Sequence, residues 1–374
     1  MKLKDKSIYS VIRLFLKGIL SFIFLVPNNP AFSQVGGEET FEFLGLIPSA
    51  RIAAVGGKML PVRDNDLNLV FGNPALLNAA MDKQFSFSHV KYYADIDFGH
   101  VGFASRLGEG QTMLFGVHYM GYGDFTERDV TGVEIGRIKA SEYSFNVSYA
   151  RDILDSSFSV GATLKTIYSN FADYKSFGMA ADVGLNYYFH KSLLDLSLVV
   201  KNFGYQLKGY REGEKERLPL DLQFGISKRL SKAPFRFSLV LHQLQNGDIT
   251  YKDPAKDGKL DPLTGEPVEV KITTGDKILR HVVFGTELLL SKNFHIRAGY
   301  NFQRRKELSV ETKKSTIGLS YGLGLRLSRF HFSYGRAAYH LAGPSNHFTI
   351  STYFNGPGPE RKKSRNSKSE KRYK

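Results

Sequence analysis

Reactive groups are sparse in this chain of 374 residues, and their spacing matches no catalytic set. Cysteine is absent, which removes thiolate metal sites, disulfides and cysteine nucleophiles. The ten histidines are scattered, with no pair spaced one helical turn apart on a plausible helix. Two acidic clusters have the composition of a calcium loop: Asp64-Asn65-Asp66, and Asp253 with Asp257-Gly258 and Asp261. Neither has the ligand spacing of an EF-hand, and turn formation explains both more simply. The glycine-rich run Tyr321–Leu325 resembles a phosphate loop only on the surface. It sits inside an alternating segment, where glycine lets strands pack closely. No catalytic, cofactor-binding or metal-binding residue is expected, and no cofactor.

Stepping from these groups to the segments that carry them, the dominant feature is a period of two. Over Glu142–Ala150, Tyr143, Phe145, Val147 and Tyr149 alternate with Ser144, Asn146, Ser148 and Ala150. Side chains of a strand point alternately to its two faces, so one face is apolar and the other polar or small. The pattern recurs over Ser157–Tyr168 and Lys175–Tyr188, and near 193–202, 219–228, 234–243, 281–290, 293–303, 315–326, 329–337 and 346–354. Segments 84–92, 98–106 and 112–122 follow it more loosely, for about fourteen strands in all.

Charge placement bears on what surrounds them. Lys165, Asp182, Asp195, Lys201, Asp221, Arg236, Glu287 and Arg297 all fall on the face opposite the apolar one. A lipid-facing Lys or Arg costs roughly 2–4 kcal/mol at the bilayer midplane, so a barrel in lipid requires this segregation. His295 and His331 also fall on the polar face, as hydrogen-bonded lumen residues. A soluble sandwich alternates too, with its apolar face inward. Strand length and loop pattern favour the membrane barrel. Connections at 107–111, 151–155, 190–192, 228–234, 291–292 and 327–328 are short. Those at 123–138, 204–218, 246–279, 305–314 and 338–345 are longer. Outer-membrane barrels have short periplasmic turns and long external loops, and an even strand number puts both ends on the periplasmic side. The links at 93–97 and 170–174 are short for external ones.

The ends complete the organisation. Lys2, Lys4 and Lys6 precede the apolar run Gly18–Val26, and Ala31-Phe32-Ser33 offers a cleavage site before Gln34. Residues 1–33 therefore read as a signal peptide, too short in its apolar part to cross a bilayer at ~20 residues. Residues 34–82 form an irregular segment with one or two short helices, 83–354 the outer-membrane β-barrel, and 355–374 a basic disordered periplasmic tail. The formal charge of +15 is concentrated at the two ends, which argues against a nucleic-acid stripe.

Thr40–Gly57 followed by Asp64–Leu77 resembles the opening of the PorQ family, outer-membrane barrels of the type IX secretion system. Tyr92–Ile96, Tyr122–Thr126 and Ser176–Asp182 match as well, so the resemblance covers about 38–354. The related PorV family starts similarly but differs around Ser49-Ala50-Arg51. Both share the fourteen-strand, plugged fold of fatty-acid transporters, whose plug-to-barrel element Asn73-Pro74-Ala75 resembles. The basic tail departs from the pattern. The resemblance implies a non-enzymatic barrel that seats a PorZ-like surface protein in an attachment complex with PorU- and PorV-like members. Docking would use loops 204–218 and 246–279, with lipid as the other neighbour. The alternative it leaves open is an outer-membrane transporter of long-chain fatty acids or other hydrophobic molecules.

Overall fold

The computed structural model describes residues 39–153, 157–250, 272–308, 317–340 and 343–354. The signal peptide, the Gln34 cleavage site, the basic tail and the acidic run Asp253–Asp261 lie outside them.

Fourteen antiparallel strands close into one barrel in sequence order, the first pairing with the last. They are β1 Gln84–Lys91, β2 Asp97–Gly108, β3 Gln111–Arg128, β4 Glu134–Ile153, β5 Phe158–Phe171, β6 Tyr174–Phe189 and β7 Leu194–Lys208. The second half is β8 Asp221–Arg229, β9 Phe235–Leu241, β10 Val282–Leu288, β11 Phe294–Asn301, β12 Leu319–Leu327, β13 Phe330–His340 and β14 Gly343–Tyr353. Every strand expected from the period of two is present.

The two faces settle which solvent surrounds the barrel. On β4, Phe145 is 52% exposed and Val147 41%, whereas Ser144 and Ser148 are buried. Across the outer face Phe103, Phe115, Val147, Leu164 and Ala181 stand side by side on five consecutive strands. One pleat away, Gly102, Gly116, Asn146, Lys165 and Ala180 line the interior. A sandwich would bury the apolar set; here it faces outward around a polar lumen, the arrangement of an outer-membrane barrel. All eight mid-strand charges take the inner face. His295 and His331 do as well, both partly buried.

Residues 39–83 run through the lumen. Among 41–82, only Glu42, Gly45 and Ala80 are exposed. The segment holds a short helix α1, Ala50–Ala54, and four 3-10 turns: Glu42–Gly45, Leu67–Phe71, Pro74–Leu76 and Ala79–Met81. Side-chain oxygens of Ser49, Asp66, Asn73 and Asn78 accept hydrogen bonds from the first amides of α1 and the last three turns. This explains the Asp/Asn-rich composition as capping chemistry. The segment has more helical turns than expected because each is too short to show a period.

One expectation changes and another is narrowed. Glu39 and Thr40 pair with Arg217 in the long-connection half, whereas Lys83 and Phe354 meet at the short-turn end. The described segment thus enters the lumen from the long-connection end, and the chain's own two ends lie outside the described residues. Strand parity fixes the ends of the barrel at Gln84 and Tyr353 and says nothing about a segment that threads it. The connection 123–138 is also no loop. Strands β3 and β4 continue past their neighbours as a two-stranded ribbon, since β2 leaves β3 at Gly121 and β5 joins β4 only at Ala140.

Candidate functional site

The strongest constellation in the molecule joins the lumenal segment to the wall. Glu287 on β10 is buried and receives three arginines. Arg51 on α1 donates from Nε to Oε1 at 2.9 Å and from Nη2 to Oε2 at 3.1 Å. Arg236 on β9 donates at 2.8 Å and Arg297 on β11 at 3.0 Å. The Arg51 fork also reaches Asp64 at 2.7 Å and Asp66 at 3.1 Å. Three cations and three carboxylates therefore share one buried network. Burial works against the Arg51 charge, but Asp64, Glu287 and Asp66 outweigh it and hold the guanidinium protonated. Burial likewise raises Asp66, and the Arg51 charge overcomes it, bringing the carboxyl down to about 2.

The network unites residues from separate parts of the sequence. Arg236, Glu287 and Arg297 were legible as inward charges, and Asp64-Asn65-Asp66 as turn formers. The structure adds that these acids face an arginine. Asn65 donates to the Tyr353 hydroxyl at 2.9 Å, tying the same turn to β14. Among the described residues, no group of three or more His, Asp or Glu could hold a metal. Arg51 was missed as a site residue. Its only signal was a basic residue among small apolar ones at Ser49–Gly57.

Backbone contact makes the second tie. Gly299 on β11 lies under α1, where an added Cβ would stand 2.0 Å from the Val55 carbonyl carbon. Gly161 on β5 lies under the turn Pro74–Leu76, with an added Cβ 2.4 Å from Pro74. Asn73 donates to the Leu60 carbonyl and to Ser197, both at 3.1 Å. The Asn73-Pro74-Ala75 tripeptide thus seats the segment on β5, β6 and β7 rather than joining it to β1. Gly322, in the Tyr321–Leu325 run, is seated against Ala54. Close packing, not phosphate, explains that run.

A small cavity of about 40 Å³ remains beside Leu44–Ser49, with Leu44, Leu46, Ile47 and Phe71 in its wall as well as His100, His118, Lys165, Asp182 and Lys201. At the long-connection end it is covered by an apolar cluster of Phe41, Phe43, Leu44, Val90, Phe98 and Met120. An open cleft of about 300 Å³ lies at the rim, lined by Phe171, Tyr174, Tyr210 and Arg211. The connection after β7 folds over this end. The Arg217 carbonyl binds the Thr40 amide at 2.8 Å and Leu218 joins the apolar cluster. Of the two loops expected to dock a partner, 204–218 is tied to the lumen mouth at Arg217 and Leu218 and leaves 211–217 exposed, and most of 246–279 lies outside the described residues.

The ribbon projects freely instead. Its tip is closed by Asp129, whose Oδ1 accepts from the Thr131 and Val133 amides at 2.9 and 3.0 Å. Phe125, Val130, Val133 and Ile135 on it are at least half exposed. From Gly121 to Arg128 it extends roughly 25 Å at ~3.4 Å per residue.

No protein-family model matches this chain, and no curated protein does. Among solved structures it is similar to the toluene transporter TbuX of Ralstonia pickettii, at 13% identity over 84% of this chain and 100% of that one, with a TM-score of 0.48. The toluene transporter TodX of Pseudomonas putida aligns at 12% identity over 81% and 95% of the two chains, TM-score 0.47. A FadL homologue of Pseudomonas aeruginosa gives 12% identity over 86% and 99%, TM-score 0.43. These likenesses are too distant to bear on a site, and the fold stands on the strand pairing itself. The resemblance to the PorQ family has no counterpart among them.

Proposed function

We propose that this protein is a non-enzymatic outer-membrane anchor that presents a surface partner, with the type IX attachment complex as its setting and a PorZ-like protein as the partner. The observation that supports this reading is the filled lumen. The segment 39–83 is bonded to the wall through Arg51, Asn65 and Asn73, and its backbone rests on strand glycines. Only a small cavity is left beside it. A barrel occupied in this way offers its external elements as the working surface, foremost the ribbon with its exposed Phe125, Val133 and Ile135. PorU- and PorV-like proteins would be further members, and catalysis would reside in the PorU-like one. The test is a mild-detergent pulldown from cells carrying the tagged barrel. Co-purification of a surface protein that is lost when 124–137 is replaced by a tight turn supports the anchor. Recovery of the barrel alone, with secretion unaffected by that replacement, refutes it.

A second reading rests on a different feature. The rim cleft of Phe171, Tyr174 and Tyr210 continues inward through aromatic contacts. Phe171 and Tyr210 lie 5.8 Å apart, and Tyr210 and Phe41 6.5 Å, which leads to the apolar cluster below. Such a path suits capture of a small hydrophobic molecule, and the similar barrels include a toluene transporter and a monoaromatic hydrocarbon channel. Transport would then require the segment to move. Uptake of labelled toluene or long-chain fatty acid by cells expressing the barrel, abolished by Tyr210→Ala, supports transport; uptake equal to that of barrel-free cells excludes it.

A further inference from the structure

Most of the lumen's charges pair off; among the described inward residues Glu142, Asp195 and Lys201 have no oppositely charged group within ion-pair distance, and of these Lys201 is the cation. Arg51, Arg236 and Arg297 meet Asp64, Asp66 and Glu287 in the network described above. Lys58 meets Asp221 at 2.7 Å, Arg63 meets Asp152 at 2.6 Å, and Lys165 meets Asp182 at 2.7 Å. Lys201 is 7% exposed, and its hydrogen-bond partner among the described residues is a neutral one, the Phe71 carbonyl at 3.1 Å. Asp221 stands directly opposite Lys201 on β8, but its carboxylate is taken by Lys58; Asp195, the nearest inward acid on the same strand, is six residues away, roughly 20 Å along β7. It already accepts from the Arg63 amide at 2.8 Å.

Lys201 is placed there by a deliberate irregularity. The β6–β7 register shifts between Ala181 and Val183, and Asn202 takes a left-handed φ of 57°. Lys201 and Asn202, though successive, therefore both face inward and are buried. Bulges of this kind re-aim side chains. The bulge brings Asn202 to Lys165 at 2.7 Å and to Asp182, which accepts from the Asn202 amide at 2.8 Å. Asp182, the one carboxylate lining the cavity, is thereby already met. The cavity wall keeps one positive charge in excess. It also has a polar atom without a partner, Nε2 of His118, whose residue is 7% exposed. On the far side, Nδ1 of His100 is unpartnered while its Nε2 bonds Asn68 at 2.8 Å. With Nε2–H donating to Asn68, Nδ1 is an acceptor and offers an anion nothing.

We propose that this cavity binds a single small monovalent inorganic anion, chloride in kind, between the Lys201 ammonium and His118. The ammoniums of Lys58, Lys165 and Lys201 share the two carboxylates of Asp221 and Asp182, which leaves one buried positive charge in excess, and one anion removes it. The volume of about 40 Å³ suits it, since a water needs ~10–15 Å³ of such space and the anion can share the cavity with one or two waters. A lipid carboxylate with its chain does not fit that volume. The role is structural: the anion locks the bulge of β7 to Phe71 of the lumenal segment.

Crystals of the detergent-solubilised protein grown in bromide test this directly. An anomalous peak beside Lys201 Nζ is expected, absent in Lys201→Gln. Apparent Tm should rise by roughly 2 °C per tenfold increase in chloride above half-saturation, with gluconate holding ionic strength constant. Lys201→Gln should abolish that dependence and His118→Phe should weaken it. Water alone at the site in the wild-type bromide crystal overturns the proposal whether or not the variants fold. So does a chloride dependence that survives Lys201→Gln.

Discussion

At the residue scale, Arg51 carries more of the tertiary structure than any other side chain, because one planar fork meets three carboxylates from two parts of the fold. Its Nε and Nη2 grip Glu287 on the wall while Nη1 and Nη2 hold Asp64 and Asp66 within the segment. Arg51→Ala leaves Asp66 buried without its cation, while Asp64 is partly exposed and keeps Arg236 at 3.5 Å, and the change should cost roughly 3 kcal/mol. The check is apparent Tm together with protease cleavage within 39–83, both expected to move. Arg51→Lys should rescue little, since a point charge cannot match the fork. Acid should attack the same place. Asp66 is held at about 2 in the folded protein, below its ordinary unfolded value of about 4. A group with a depressed folded pKa contributes stability that is complete above its unfolded pKa and is lost as pH falls through the folded one. Between pH 5 and pH 2 the wild type should thus lose about 2 kcal/mol that Asp66→Asn never had. Acid titration of the two proteins by tryptic susceptibility of the segment measures the difference. The sequence revealed the inward charges of the strands, because period two assigns each residue to a face. It could not reveal their partner in Arg51, because a five-residue helix flanked by glycine has no face to assign.

Elements show the same contrast between what a period encodes and what contact decides. All fourteen strands were legible, with ends correct to within a few residues in most, since pleat alternation persists along each. The ribbon was not. Gly123 and Gly132 gave 123–138 the composition of a loop, and its strand character comes from hydrogen bonds between β3 and β4 alone. The seating of the segment on strand glycines was equally hidden, because a glycine in a strand announces close approach without naming what approaches. Gly299→Ala would place a Cβ 2.0 Å from the backbone at Val55, with no flexible side chain able to yield. It should lower apparent Tm by several degrees and expose 39–83 to protease. Gly108→Ala is the matched control, since an added Cβ there meets nothing closer than 3.8 Å. Equal effects of the two substitutions would refute the seating argument. Shortening the ribbon to a turn after Gly121 should leave barrel assembly intact, because every pairing below that point involves strands with neighbours on both sides. Heat-modifiable migration in gels reads assembly, and the pulldown reads the partner.

On the scale of the whole molecule, closure and filling answer different physical demands. Closure follows from lipid, which leaves no strand edge free to hydrogen-bond, so the first and last strands must meet, as β1 and β14 do over eight residues. Filling follows from the lumen's composition. A wall carrying Glu287, Asp221, Lys165 and Arg297 is stable dry only if each charge finds a partner, and the segment supplies Arg51 and Lys58 for the acids. Those ties predict an electrical phenotype. Reconstituted in a planar bilayer, the wild type should show no steady ionic conductance. Arg51→Ala combined with Lys58→Ala removes both cations that bind the segment to the β8–β10 wall while leaving the strand pairing intact. That variant should open in bursts, because water entering the vacated network solvates Glu287 and Asp221 and stabilises the displaced segment. Charge reversal at one position, Lys58→Glu, should open it more often still by placing like charges together opposite Asp221. A large, persistent wild-type conductance would show that the segment leaves the lumen in the membrane, and the anchoring role would then lose its structural basis to a transport one.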